Sequence, residues 1–183
     1  MKPASYVDYT LKVGNRASMD EVAQCAAFLM KALHAGFSEM KDKFALALPH
    51  LNEKSPQKKI STFRVFADSM NEHVQLHEFI TRSGYLDTHF VASFPKAVPA
   101  DFAGPYKAFS RIRIKSRAHG VLRLKKMLEV DANGDAWINV QSRENGHRFQ
   151  MYIQSHTAET GTDGVVNGYG LSQAENLLFL PDL

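Results

Sequence analysis

The chain is poor in the residues that staple or anchor a protein. It has one cysteine, Cys25, which closes no internal disulfide and supplies no CxxC zinc site, so the fold must hold without either. Long apolar runs are missing too. The longest, residues 25 to 30, falls far short of the ~18 residues that crossing a bilayer requires, which excludes a transmembrane helix. The N-terminus MKPASYVDYT alternates polar with apolar residues and has no apolar stretch leading to a small-residue cleavage site. A cytoplasmic protein without a membrane partner is therefore expected. Internal repeats and low-complexity tracts are lacking as well. With 183 residues, 44% of them apolar and 22% charged, the chain suits one large domain or two small ones around an ordinary core.

One stretch also lacks charge of one sign. Between Phe102 and Leu128 there is no Asp or Glu, while Lys107, Arg111, Arg113, Lys115, Arg117, Arg123, Lys125 and Lys126 supply eight of the 22 basic residues. The rest of the chain holds 14 basic against 19 acidic residues, so the net charge of +3 hides a local cationic block. A polyanion is the natural partner for such a block, and a solvated cationic face is the plainer alternative.

What is present orders itself along the chain. YVDYTLKV (6–13) reads as a strand, and 19–35 as a helix with Val22, Ala26, Leu29 and Leu33 at helical spacing, ended by Gly36. KFALALP (43–49) and STFRVFA (61–67) read as strands joined by a polar, Lys-rich loop. An amphipathic segment at 68–80 and a strand near 86–93 follow. The order β-α-β-β-α-β is that of the ferredoxin-like split βαβ unit, expected over residues 1–94. The prolines between Phe94 and Pro105 mark a connection to a second part, 106–183. The fold class expected is α+β, a ferredoxin-like domain followed by a basic α+β part.

In that second part FSRIRIK (109–115) alternates, putting Phe109, Arg111, Arg113 and Lys115 on one face and Ile112 and Ile114 on the other. A short helix fits 118–128, with Val121, Leu124 and Leu128 on a face to be buried and His119, Arg123 and Lys126 opposite. DANGD (131–135) reads as a turn around Asn133 and Gly134, between that helix and the strands WINVQS and RFQMYIQ. Arginines on alternate strand positions stand ~6.6 Å apart, a spacing that suits successive phosphates or a guanine edge, so nucleic acid fits better than a small anion.

Other constellations are weaker. His34, directly before Gly36, reads first as a helix-terminal histidine beside the last carbonyls, and Ser142, Asn145 and Gly146 read first as turn chemistry. His73 and His77 stand at i and i+4 on a helix, but residue 74 is Val where HExxH needs its Glu, which leaves an exposed polar face. DANGD departs from an EF-hand at Ala136 and Ser142. No metal site and no cofactor is expected. The glycines of GTDGVVNGYG open no helix after a strand, so they suit a hairpin or a close backbone approach rather than a dinucleotide.

Taken in order, KALHAGF, FALALPHLNE, SRIRIKS, the QS-x-x-NGHRFQMYI block and GYGLS resemble the CRISPR-associated repeat-processing endoribonucleases of subtype I-F. The resemblance spans nearly the whole chain. It implies a metal-independent enzyme that grips a CRISPR repeat stem-loop and cuts at the 3′ base of the stem. There the RNA's own 2′-OH attacks the adjacent phosphate to leave a 2′,3′-cyclic phosphate and a 5′-OH. It also implies retention of the product RNA within a surveillance complex with other subunits.

By the same resemblance His34 is the catalytic histidine and Ser142 the catalytic serine. Arg111 matches an arginine that reads a guanine, and Arg113 stands where other members carry a glutamine that reads adenine, which implies a different base pair there. Arg123, Lys125 and Lys126 match an arginine-rich groove helix loosely, and the stretch from it to Ser142 is shorter. Glu144 replaces a small hydroxyl residue. Phe149 matches an aromatic that stacks on the terminal base pair, although its strand parity with Met151 and Ile153 favours the core. Tyr169 matches a tyrosine near the active site, against the plainer reading of a packed aromatic. Lys115, Arg117 and His119 complete the RNA-binding set. Two alternatives stay open: a structured-RNA-binding module without catalysis, and an interaction protein that meets an acidic partner.

If about five of these cations meet phosphates, affinity for a stem-loop RNA falls by roughly two orders of magnitude between 50 and 200 mM salt. Filter binding across that range checks it, and a flat profile would remove the basic block as a phosphate-binding surface.

Overall fold

Residues 2–14, 16–82, 84, 88–114, 120–132, 136–141 and 146–183 are described by a computed structural model, the side chains of residues 123, 131 and 132 excepted. Among the described residues the fold is α+β, with two antiparallel sheets and four helices. No described helix is long and apolar enough to cross a membrane.

Alternation writes the first strand. In β1 (Ser5–Leu11) the residues Ser5, Val7, Tyr9 and Leu11 are buried, while Tyr6, Asp8 and Thr10 face the other way. β2 (Phe44–Ala47), β3 (Thr62–Ala67) and β4 (Phe90–Ala92) join it in the order β2-β3-β1-β4. The connection after Phe94 contributes a further short strand, β5 (Lys96–Ala97), that also pairs with β1. The Lys-rich loop contains a single helical turn, α2 (Pro56–Lys59), whose proline sits at its start where no N–H is needed.

Helix α1 (Met19–Glu39) starts at a capping box. The Ser18 hydroxyl accepts from the Glu21 N–H at 3.3 Å, and the Glu21 carboxylate accepts from the Ser18 N–H at 2.7 Å. The helix does not end at Gly36 as its sequence suggests. It runs on to Glu39, with the Met40 N–H closing on the Gly36 carbonyl. Gly36 serves helix packing instead, because a Cβ there would overlap the Leu76 side chain of α3 (Met70–Arg82).

The second sheet orders β7 (Ala136–Gln141), β8 (Arg148–Ala158), β6 (Tyr106–Ile112) and β9 (Leu180–Pro181) as β7-β8-β6-β9. Its inner face, with Phe109, Ile138, Met151 and Ile153 all buried, joins the same core as α1 and the first sheet. Helix α1 thus lies against β1 and α3 on one side and β7 on the other. Polar ties reinforce the junction. Arg64 grips Asp8 across the strands through Nε at 2.7 Å and Nη2 at 3.1 Å, and its Nη1 donates to the Leu183 backbone oxygen at 2.5 Å.

Three expectations for the second part need correction. Strand β6 stops at Ile112 and is buried on both faces at Ala108, Phe109 and Ser110, while Arg111 is half-buried opposite the fully buried Ile153. The strand does not hide apolar residues and offer all its cations to solvent. Helix α4 (Gly120–Ala132) also turns its expected core stripe outward: Val121, Leu124 and Leu128 are 79%, 57% and 59% exposed. It buries Val130, which lies half a turn round from Val121 at ~100° per residue, so the helix docks by a different face. Finally, Asp131 and Ala132 belong to α4 and not to a turn, and Asn133, Gly134 and Asp135 lie outside the described residues.

His73 departs from the exposed polar face expected of it. It is 1% exposed, packed toward the Phe44 ring, while His77 one turn on is exposed, so the two histidines do not share an environment. Burial pushes the His73 pKa down, against weaker pulls upward from the Ser5 backbone and the Glu72 carboxylate. A base whose folded pKa lies below its unfolded value of about 6.5 favours unfolding when protonated. Its contribution is complete above that pH and is lost as pH falls from there through the folded value. Urea midpoints should therefore drop between pH 7.5 and 5 in the native protein, and the drop should be smaller in His73→Leu. Equal drops in both would assign the acid sensitivity elsewhere.

Candidate functional site

The C-terminal glycine-rich stretch builds the centre of the site. Residues 167–170, Asn-Gly-Tyr-Gly, form a tight turn in which the Gly170 N–H donates to the Asn167 carbonyl at 2.8 Å. The Asn167 side-chain oxygen accepts from the Tyr169 N–H at 2.9 Å, the local bond that makes asparagine a turn residue. Gly170 closes the turn at φ +74°, where its carbonyl accepts from the Leu46 N–H of β2 at 2.7 Å. Two residues on, the Ser172 N–H donates to the Phe109 carbonyl of β6 at 2.8 Å. One short segment is thereby stitched to both sheets.

That turn meets His34. The helix continues for five residues beyond the histidine, so its ring does not serve the last carbonyls of α1. Its Nδ1 instead donates to the Gly168 carbonyl at 2.5 Å, across 134 positions of sequence. A carbonyl can only accept, so Nδ1 carries the proton and Nε2 of the neutral ring presents a bare lone pair. The Tyr169 ring stacks on the imidazole, 4.2 Å between centroids and 18° between planes. Gly168 permits the approach, since a Cβ there would come within 3.2 Å of His34 Cε1.

Arg111 extends the cluster. Its guanidinium carbon lies 4.8 Å from the Phe149 ring centroid, a cation–π contact between neighbouring strands β6 and β8. Its Nε is buried with no hydrogen-bond partner among the described residues. Burial lowers the Arg111 pKa, with Tyr169 pulling it up and Arg113 adding to the fall, and the group remains a cation at neutral pH. Tyr169 is raised by burial against the opposing pull of Arg111, which keeps its phenol protonated. The arrangement holds an imidazole against an aromatic ring, with a cation within electrostatic reach of that ring. An anionic ligand would be attracted to the half-buried Arg111 cation.

The remaining candidates fall outside this cluster. Arg113 is exposed beyond the end of β6, and Lys125 and Lys126 are exposed on α4, where Lys126 pairs with Glu129 at 3.2 Å. Lys115, Arg117, His119 and Ser142 lie outside the described residues, as does the Arg123 side chain. Phe149 is half-buried, packing on the core with one face under Arg111. Sequence reasoning did not single out Asn167 and Gly168, which hold Tyr169 and His34. Their signal is the Asn-Gly pair, a turn dipeptide, within the stretch read as a hairpin or a close backbone approach. No described cluster of three or more His, Cys, Asp or Glu could hold a metal ion.

No protein-family model matches the chain, and no curated protein matches it. The site therefore rests on its own geometry.

Gly170 carries the most exacting backbone requirement. Its φ of +74° strains any L side chain, and a Cβ would sit 2.7 Å from Phe37 Cε2 and 3.1 Å from the Leu46 nitrogen. Gly170→Ala should lower unfolding free energy by about 1–3 kcal/mol, whereas Gly14→Ala, where nothing lies within 4 Å, should change it by less than about 0.5 kcal/mol. Urea denaturation of both variants checks this, and equal effects would show that the 167–170 turn is not a constraint on the fold.

Proposed function

We propose that the chain is a metal-independent endoribonuclease of the CRISPR repeat-processing kind found in subtype I-F systems. The observation that carries the reading is the His34 ring, fixed in the Nδ1–H tautomer by Gly168 and stacked on Tyr169. Arg111, held over the Phe149 ring, is within electrostatic reach of that tyrosine. These residues come from α1, the C-terminal turn, β6 and β8, and the motif resemblance had named His34, Arg111, Phe149 and Tyr169 independently of any contact between them.

In the reaction so read, the Arg111 guanidinium engages the base of the RNA stem, and Phe149, which the resemblance matches to a stacking aromatic, supports that guanidinium. Nε2 of His34 takes the proton of the 2′-OH. The 2′-oxygen bonds to phosphorus as the bond to the 5′-oxygen breaks, and that oxygen takes a proton from solvent. The products are a 2′,3′-cyclic phosphate and a 5′-OH. A positioned base contributes about a hundred- to ten-thousand-fold to such a step. Ser142 is the proposed second catalytic residue, holding the ribose or the imidazole by hydrogen bonding.

The N-terminal part supports a ferredoxin-like reading: apart from the single turn α2, its elements follow the order β-α-β-β-α-β, and its strands lie as β4-β1-β3-β2. The proposal extends to a cytoplasmic surveillance complex whose other subunits share the retained RNA. A binding module without catalysis is the second reading, favoured by the unpartnered Arg111 donor, which would serve affinity alone.

Cleavage of a panel of labelled repeat stem-loop RNAs in EDTA, with and without a 2′-deoxy at the nucleotide before the cut, tests the proposal. Cleavage in EDTA that the deoxy substitution abolishes is expected. His34→Ala should lose about a hundredfold or more in rate while RNA affinity stays within about twofold. Tight binding without cleavage would sink the enzyme reading in favour of the binding module.

A further inference from the structure

A pocket of about 280 Å³ adjoins the His34 cluster at the C-terminal end of α1. Gly168 belongs to both: its carbonyl holds His34, and its backbone walls the pocket. Ser38, one helical turn beyond His34, is on the same wall. Arg111, Phe149 and Tyr169 line none of it. His34 does not line it either, so the pocket lies next to the histidine across the shared Gly168.

The lining is mixed in a way that suits one flat heteroaromatic ring. Phe37, Met40 and Phe44 give apolar walls, and Lys41, Asp42 and Asn167 give polar ones. The Asn167 oxygen is used by the Tyr169 N–H, whereas its amide nitrogen has no partner among the described residues. Asp42 offers an acceptor from a left-handed backbone position at φ 60°, a conformation that aspartate tolerates better than most side chains. A donor and an acceptor above apolar walls recognise a nucleobase edge, and Lys41 suits the phosphate that joins it to the chain. A free phosphate would not need the aromatic walls.

A scissile phosphate has a nucleotide on each side, and the two must diverge at the reacting centre. We propose that this pocket takes the base of the nucleotide immediately 3′ of the cut, an inference that rests on the proposed function. Held there, the leaving 5′-oxygen is directed away from the attacking 2′-oxygen, which aligns the displacement. The retained product ends at the cut and does not reach the pocket. The pocket thus acts on the rate of cleavage and not on the grip of the product.

Single-turnover cleavage of the repeat RNA is compared with the same RNA carrying an abasic residue immediately 3′ of the cut, using the native protein and Asp42→Gly, which keeps the backbone conformation accessible. Base removal should slow the native protein by about five- to a hundredfold and slow Asp42→Gly by clearly less, with equal affinity of both proteins for RNA ending at the cut. Equal rates on the two RNAs would overturn the pocket assignment and leave the endoribonuclease reading standing. Equal slowing in the two proteins would overturn it also, as would weakened product binding by Asp42→Gly. Failure of the native protein to cleave either RNA would instead overturn the proposed function, and the pocket's role with it.

Discussion

The site depends on a single helix that is buried on two sides. Helix α1 packs against β1 and α3 with one face and against β7 with another. A helix so placed must be apolar round much of its circumference and narrow where elements crowd it. Its sequence provides both: Leu29, Met30 and Leu33 are fully buried, and Ala23, Ala26, Ala32, Ala35 and Gly36 let neighbouring backbones come close. Burying each large aliphatic side chain is worth about 1.5–3 kcal/mol, so the helix cannot roll to another face without exposing several of them. His34 is half-exposed at the edge of this buried surface, and its position is therefore as fixed as the core itself.

A second constraint acts from the other end of the chain. The segment from Asn167 to Ser172 bonds to Leu46 of the first sheet and to Phe109 of the second. The carbonyl that sets the His34 tautomer, the ring that stacks on it and the strand that carries Arg111 thus belong to one hydrogen-bonded frame. Placing reactive groups on elements already locked by packing is what allows a site to be preorganised rather than assembled on binding. A surface histidine on a mobile loop would lose rotational freedom each time it acted. Here that entropy is spent in folding.

The repeating features of the fold were legible in the sequence, because periodicity is a local property. β1, the first three-quarters of α1, β3 and α3 follow from alternation and helical spacing. What failed were residues whose role is set by a distant partner. Gly36 carries a stop signal locally but meets Leu76 from α3, and no local pattern announces that crossing. The α4 stripe of Val121, Leu124 and Leu128 has the spacing of a buried face, yet the helix docks by Val130. His73 resembled a surface residue until α3 met the ring of Phe44. Of the candidate site, motif order nominated His34, Arg111, Phe149 and Tyr169, but neither the His34–Gly168 bond nor the burial of Arg111 could be read from it. The first arises only when the C-terminal turn meets α1, the second when β6 pairs with β8.

The electrostatics of the cluster divide its labour. Tyr169 is held as a neutral phenol by burial, so it adds an aromatic ring and no negative charge to the cluster. Arg111 keeps its cation in a half-buried setting where charge–charge interactions are screened less than in open water. An anion brought beside it would be attracted more strongly than by Lys125 or Lys126, which stand exposed on α4. On the proposed function, the exposed lysines suit the long-range, salt-sensitive part of RNA attraction, and Arg111 suits the short-range part that sets register. Register is what a histidine held in one tautomer requires: a lone pair fixed in direction is useful only if the hydroxyl it must meet is delivered to one place. On the proposed function, then, the buried arginine and the locked imidazole are two halves of a single positioning device, and neither would suffice alone.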